Sequence, residues 1–421
     1  MEANTKGPLG PLTSRSEGPL GPLAGLRVVE LASARACFAG KLLAIYGAEV
    51  IVVEPPGGHE TRRWAPFAGD IEDPERSLWW WHYNTNKLGV TLDLDDRDGA
   101  DALRSLIATA DIVLESEMPG VLGAKQLDYP DLRPHNPALI WVSVTPFGRT
   151  GPRASELSTD LTVLASGGPV WSCGYDDHSI PPVRGGGNQG YQTGSIFATM
   201  SALTAVLHRA TTGIGQFIDV SLHAAVNVTT EAATYDYLVA QRTVQRQTGR
   251  HASVRMTTSS FAEAADGRMV HSGVPPRSAA EYQRLVDWLN DEGVREQYGE
   301  AFFLDMGVAR GGVQLSEIVS DPEAQAIFNA GREAIRFMAE RASAYDFFMG
   351  AQNHGIAATV VYSPEEVLSD PHFVARGFPV EVEHEDLGAS YTYLGLPFIC
   401  NGSASQLRRA PRIGEHNSLL G

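Results

Sequence analysis

From Leu26 onward the chain alternates short apolar runs with stretches of helical periodicity. LRVVELA (26–32) predicts a strand, FAGKLLAIYGA (38–48) a helix ending at Gly47, and EVIVVEPPGG (49–58) a second strand stopped by Pro55 and Pro56. That is a βαβ unit. LGVTLDL (88–94), DIVLE (111–115) and LIWVSVTPFG (139–148) predict further strands, with a helix over GADALRSLIATA (99–110). Continued alternation of this kind predicts an α/β fold: a Rossmann-like domain with a mostly parallel sheet and helices on both faces.

GSIFATMSALTAVLHRA (194–210) is apolar almost all round and predicts a buried helix, followed by a buried strand QFIDVSL (216–222) and a long helix over 225–245. Residues 250–345 carry more charge and helical stretches such as AAEYQRLVDWLNDEG (279–293), which suggests a second, smaller α+β domain. Strand and helix units return over 356–384. The expected organisation is a leader over 1–22, a large domain over 23–225, a linker and small domain over 226–350, and a return segment over 351–421 completing the large domain. The leader carries GPLGPL twice, too short for a structural repeat, and its Pro and Gly content predicts an extended segment.

Composition narrows the function classes. The formal charge is -17 over 421 residues, so neither nucleic acid nor an anionic membrane is an expected partner, because both need a basic footprint. An anionic ligand would have to be held by a local cluster. No apolar run is long enough to span a bilayer, and the N-terminus lacks the charged-then-apolar layout of a signal peptide, so a cytoplasmic location is expected. Cys37, Cys173 and Cys400 lie far apart and form no metal-ligand spacing, which suggests no metal site and no disulfide framework.

The motifs exclude several chemistries. GGGNQG (185–190) satisfies G-x-G-x-x-G and precedes a helix, but it follows IPPVR rather than a strand, and the next acid, Asp219, lies too far on for a ribose contact. The turn after the first strand, ASARACFAG, lacks the dinucleotide glycines altogether. Nucleophile-elbow, zinc-protease and P-loop signatures are also missing. Cys37, near a helix start, is either a thiolate nucleophile or a small buried hydrophobe. The tryptophans of WWWHYNTNK (79–87) either stack on a purine or pack internally.

Several segments in order, LAGLRVVELA, KLLAIYGAEVIVVEPPGGHETRRW, NTNKLGVTLDLDDRDG, ADIVLESEMPGVLG, LDYPDLRPHNPALIWVSVTPFGRTGP, TTGIGQFIDVSLHAAV, PEEVLSDPHFVARGF and APRIGEHNSLLG, are similar to the family III CoA-transferases, the group of formyl-CoA transferase, carnitine CoA-transferase and the α-methylacyl-CoA racemases. The similarity is faint only over 250–350. It implies an interlocked homodimer, acyl-CoA as substrate with no tightly bound cofactor, and a carboxylic acid as CoA acceptor. The family's catalytic carboxylate lies about a dozen residues beyond a G-x-x-GP segment, before an apolar run and a Gly pair. Here GRTGP (148–152) leads to Asp160, with Gly167 and Gly168 behind it. The resemblance therefore implies that Asp160 is the nucleophile, and a carboxylate needs no partner base because it is already ionised near neutral pH.

The same resemblance implies CoA contacts at Arg35, Ala36, Leu92, Asp93, Ser116, Glu117, Met118 and Phe147. The chain departs from formyl-CoA transferase at Arg35, which replaces Gln, and at Pro55, Asp95 and Ala124, which replace basic residues. Arg62, Arg63, Lys87 and Arg97 are the candidates to meet the CoA phosphates instead, and Arg35 could pair with a carboxylate of a dicarboxylic substrate. Two alternatives stay open: an α-methylacyl-CoA racemase, although racemases carry Gly-His-Asp where this chain has Ser158-Thr159-Asp160, and a non-catalytic subunit of a heteromeric transferase.

Overall fold

The computed structural model describes residues 21–318, 320–399 and 406–420. The 1–20 part of the expected leader and Cys400 lie outside them. The first half of the chain forms β1 (Arg27–Leu31), α1 (Cys37–Ile45), β2 (Glu49–Glu54), α2 (Leu78–Tyr83), β3 (Leu88–Thr91), α3 (Arg97–Ala108), β4 (Ile112–Glu115), α4 (Val121–Ala124), α5 (Tyr129–Leu132), β5 (Ile140–Thr145), α6 (Asp160–Gly167), α7 (Gln189–Thr212) and β6 (Phe217–Ser221). All six strands are parallel, in the order β3-β2-β1-β4-β5-β6. This is the doubly wound α/β order, and it reverses between β1 and β4.

The sheet is covered on both faces because its strands alternate between two apolar layers. Val28, Val50, Ile112, Leu114, Ile140 and Val142 pack with Leu43 of α1 and with Ala198 and Ala202 of α7. Val29, Ile51, Val53, Val113 and Trp141 face the other way, onto Leu103, Leu106 and Ile107 of α3. Burying these side chains contributes roughly 1.5–3 kcal/mol each, which fixes the direction in which each strand ends.

Three elements differ from the sequence expectation. Helix α7 buries only a strip of small residues, including Gly190, Gly194, Ala198, Ala202 and Ala205. Its other side leaves Ile196, Met200 and Leu207 at 46%, 54% and 72% exposure, so it is not buried all round in the single chain. Small residues let the helix backbone approach the sheet, and a hydrophobicity count does not register them as a face. The long helix over 225–245 is instead α8 (Leu222–Asn227), a 3-10 turn and α9 (Glu231–Ala240), followed by Gln241 in a left-handed conformation. Strand β6 is the sheet edge, and only Val220 in it is buried.

A second compact unit comprises residues 172–182 and 236–367. It contains β7 (Phe261–Glu263), β8 (Met269–His271), α10 (Ala279–Asp291), α11 (Ala301–Arg310), α12 (Pro322–Ala339), α13 (Ala344–Asn353) and β9 (Thr359–Val360), with β7-β8-β9 as an antiparallel sheet. Its core gathers Tyr282, Trp288, Leu289, Ile327, Ile335 and Phe347. Residues 351–367, expected at the start of the return segment, fall in this unit instead, where β9 hydrogen-bonds to β8.

From Leu368, within α14 (Pro364–Ser369), the chain is part of the first unit again, and after α15 (Pro371–Ala375) it forms the hairpin β10 (Pro379–His384) and β11 (Ala389–Leu394). Val382 and Tyr393 of the hairpin pack with Trp80 and Trp81. Those two tryptophans are therefore internal packing residues rather than an open stacking platform.

Candidate active site

In an open parallel sheet a crevice forms outside the carboxyl ends of the strands where their order reverses. Here that point lies between β1 and β4, and the turns after these two strands meet. Arg35, after β1, donates from Nη1 to the Ser116 carbonyl oxygen after β4 at 3.4 Å. Ala36 is buried next to it and caps the start of α1. Glu117 and Met118 follow Ser116 and are half-buried; the Glu117 N–H donates to Glu115 Oε2 at 2.7 Å. The Ser195 hydroxyl of α7 donates to the Arg35 carbonyl oxygen at 3.2 Å, which fastens the first turn to that helix.

Asp160 is the first residue of α6 and is not its cap. Thr159 takes that place: its side chain accepts from the Thr162 N–H, and Thr162 Oγ1 accepts from the Thr159 N–H in return. The Asp160 side chain is thus left for another use. It is buried, at 6% exposure, and aims at the N-terminus of α7. Oδ1 accepts the Tyr191 N–H at 3.0 Å, and the Gly190 N–H also bonds the carboxylate. Oδ2 is buried with no hydrogen-bond donor among the described residues; the nearest cation is Arg184 Nη1 at 3.7 Å.

Glycine at position 190 eases the approach to α7, since a Cβ there would sit 3.0 Å from Asp160 Oδ1. Arg184 also donates from Nη1 to the carbonyls of Gly185 and Gly187, at 3.0 and 2.6 Å, so one guanidinium both shapes the glycine-rich segment and faces the carboxylate. Burial pushes the Asp160 carboxyl above the usual carboxylate range, opposed by the Tyr191 and Gly190 N–H groups and by Arg184. Nearby, Tyr83 Oη accepts from Gln192 Nε2 at 2.9 Å. Burial pushes the Tyr83 phenol upward, and the Asp160 charge adds to this.

The remaining expected contacts are dispersed. Leu92 is buried and Asp93 exposed after β3, Arg63 is exposed in the 3-10 turn Glu60–Arg63, and Phe147 after β5 is half-buried beneath the Arg153 guanidinium, 3.8 Å from the ring centre. Lys87 and Arg62 were expected to meet phosphates, but their charges are consumed internally. Lys87 Nζ is fully buried and donates to Glu30 Oε1, the Cys37 carbonyl and Asn84 Oδ1 at 2.8–2.9 Å. Arg62 is buried in a bidentate pair with Glu54, reaches Glu75 and the Pro411 carbonyl, and lies over Trp80. Cys37 is buried and its thiol is pushed up to about 12 by burial, so the nucleophile alternative fails.

Sequence reading missed Tyr191, Gly190, Arg184 and Gln192 as site residues. GGGNQG was the available signal: its chemistry is a helix N-terminus open to a carboxylate, not to a dinucleotide.

The fold is a doubly wound sheet that carries a buried carboxylate with one oxygen free of hydrogen-bond donors among the described residues. The chain belongs to CoA-transferase family III, whose model matches residues 23–417. It is 32% identical to succinyl-CoA:(R)-benzylsuccinate CoA-transferase subunit BbsE of Thauera aromatica, over 93% of this chain and 91% of that one. It is 30% identical to succinyl-CoA–D-citramalate CoA-transferase of Chloroflexus aurantiacus, over 96% and 94% of the two chains. The structure of a CaiB/BaiF family protein from Brucella suis superposes with a TM-score of 0.76 at 25% identity, covering 95% of this chain and 98% of that one. The protein is an enzyme of this transferase family, and CoA-transferases use CoA thioesters as substrates.

Proposed function

We propose that the protein moves CoA from an acyl-CoA thioester to a carboxylic acid through covalent chemistry on Asp160, and that the acids are dicarboxylic. The observation that carries the mechanism is the asymmetry of the Asp160 carboxylate: Oδ1 is fixed by α7 N–H groups, whereas Oδ2 is buried with its lone pairs unused. Oδ2 attacks the thioester carbonyl, giving an aspartyl anhydride and CoA thiolate. The thiolate then attacks the Asp160 carbonyl carbon, releasing the donor's carboxylate and leaving an aspartyl-CoA thioester. The acceptor carboxylate repeats both exchanges in reverse and regenerates Asp160.

During attack on the Asp160 carbonyl carbon, negative charge develops on the oxygen that already faces the start of α7. Preorganised N–H donors and a helix dipole at that point stabilise such an oxyanion without reorganisation. No proton transfer is needed at any step, which accounts for a site without a general base beside Asp160. The acid class is supported by the relatives, whose names specify benzylsuccinate, citramalate and, at 28% identity over 94% of each chain, glutarate. The racemase alternative lacks the neighbouring histidine, since Thr159 stands there.

The decisive test supplies succinyl-CoA and isotopically labelled succinate or glutarate to the purified chain, with hydroxylamine added during turnover. Label entering the CoA ester, together with a hydroxamate mapped to Asp160, supports the reading. Exchange without a trapped Asp160, or none without a second kind of chain, sinks it; the latter would favour the heteromeric alternative that the word subunit in one relative's name brings up. The exposed Ile196, Met200 and Leu207 of α7 support a homodimer, which light scattering on the purified protein checks.

Two variants test the carboxylate's surroundings. Arg184→Gln removes the cation that opposes the upward shift of Asp160, so the acid limb of the kcat/KM profile will move to higher pH. An unmoved limb would remove Arg184 from the site's electrostatics. Gly190→Ala crowds Oδ1 by a few tenths of an ångström and will lower kcat by roughly tenfold, because misplacement of a reacting group is costly even at this scale.

A further inference from the structure

We propose that Arg35 is the specificity residue that reads the second carboxylate of a dicarboxylic substrate, an inference that rests on the CoA-transfer reading above. Arg35 is half-buried in the turn after β1, at the switch point of the sheet. Among the described residues its guanidinium has no carboxylate partner. Nη1 makes one long bond, 3.4 Å to the Ser116 carbonyl, and Nε is buried with no acceptor. Other well-covered arginines of the same unit are treated differently: Arg62 is held by Glu54 and Glu75, Arg149 by Asp128 and Glu115, and Arg209 by Asp111. A cation drawn partly out of water without a counter-ion is a group waiting for an anion.

Tyr191 ties this cation to the reacting carboxylate. Its backbone N–H holds Asp160 Oδ1, while its phenol lies close enough to Arg35 to feel the guanidinium charge. The Arg35 backbone is fixed in turn by Ser195, one helical turn further along α7. Arg35 and Asp160 therefore share one rigid support and keep a set separation, as selection by chain length requires.

Charge balance points the same way. With Asp160 ionised, Arg184 already faces its carboxylate, so the Asp160 charge is balanced without Arg35, whose guanidinium keeps no counter-ion among the described residues. In the aspartyl-CoA form Asp160 is neutral, and the reacting carboxylate of an incoming acid restores one negative charge only. A second carboxylate on the same molecule balances the other, and the planar fork of arginine suits bidentate capture of it.

The test compares succinate with butyrate, which replaces the distal carboxylate by a methyl group, as acceptors from one acyl-CoA donor. Both acids react with the same aspartyl-CoA form, so kcat/KM for each reports that half-reaction alone. The wild type will prefer succinate. Arg35→Gln will lower the ratio of kcat/KM for succinate to that for butyrate by roughly 10- to 100-fold, the loss of a hydrogen-bonded charge partner, whatever it does to both acids in common. Arg35→Lys, which keeps the charge, will retain part of the preference even if the Gln variant folds poorly. An equal fall for both acids, or a preference untouched in both variants, overturns the assignment while leaving the transferase reading intact. Absence of CoA exchange with every acid overturns that reading, and this inference with it.

Discussion

Asp160→Asn protein will fold normally and exchange CoA at less than about 10⁻³ of the wild-type rate, because an amide is not a nucleophile toward a thioester and every covalent step passes through this side chain. The stability expectation is as informative as the kinetic one. Burial pushes the Asp160 carboxyl upward, so the fold holds the charged group at a cost. An amide keeps the oxygen that accepts the Tyr191 N–H and removes that cost, so the melting temperature will be unchanged or higher. If Asp160 served only to cap the start of α6, its replacement would instead lower stability and spare turnover. That outcome is already disfavoured by Thr159, which occupies the cap with reciprocal bonds to Thr162. Measurement of acyl exchange by mass, with a thermal melt on the same sample, separates the two.

The legibility of this chain followed the range of the interactions involved. Strands β1, β2, β4 and β5 were plain because a parallel sheet buried on both faces demands near-continuous apolar runs, and VVEL, VIVVE, IVLE and IWVSVT supply them. Helix α7 was located but its faces were not, since its packing strip is built from glycine and alanine while isoleucine, methionine and leucine point outward. The catalytic proposal for Asp160 came from a resemblance; the residues alone show a single acid ahead of an apolar run and a Gly pair. Its true neighbours, Gly190 and Tyr191, lie 30 and 31 residues downstream and are joined to it through backbone N–H groups, which carry no side-chain signature. The charges misread as phosphate contacts failed for the same reason. In NTNK a lysine looks solvated, and nothing local announces that Glu30, 57 residues earlier in the middle of a strand, is its partner.

That partner makes Lys87 the site of the largest expected loss of stability. Lys87→Met fills similar volume but strands Glu30 in the apolar layer beneath β1, and breaking a buried pair from one side costs about 3–5 kcal/mol. For a unit of this size the melting temperature will fall by roughly 6–20 °C. The loss will depend on pH in a defined sense. Burial already raises Glu30 from 4.5 to about 7 despite the adjacent ammonium, so the folded state binds a proton there that the unfolded state releases. Stability from this group is therefore present below 4.5 and declines as pH rises through about 7. Without Lys87 the carboxyl moves higher still, and the variant will be least impaired in acid and most impaired above neutrality. Adding Glu30→Leu removes the stranded charge and will restore most of the stability, because an apolar pair of similar volume is tolerated where half an ion pair is not. A double variant no more stable than Lys87→Met alone would mean that the ammonium holds this region through Asn84 and the Cys37 carbonyl, and not through Glu30.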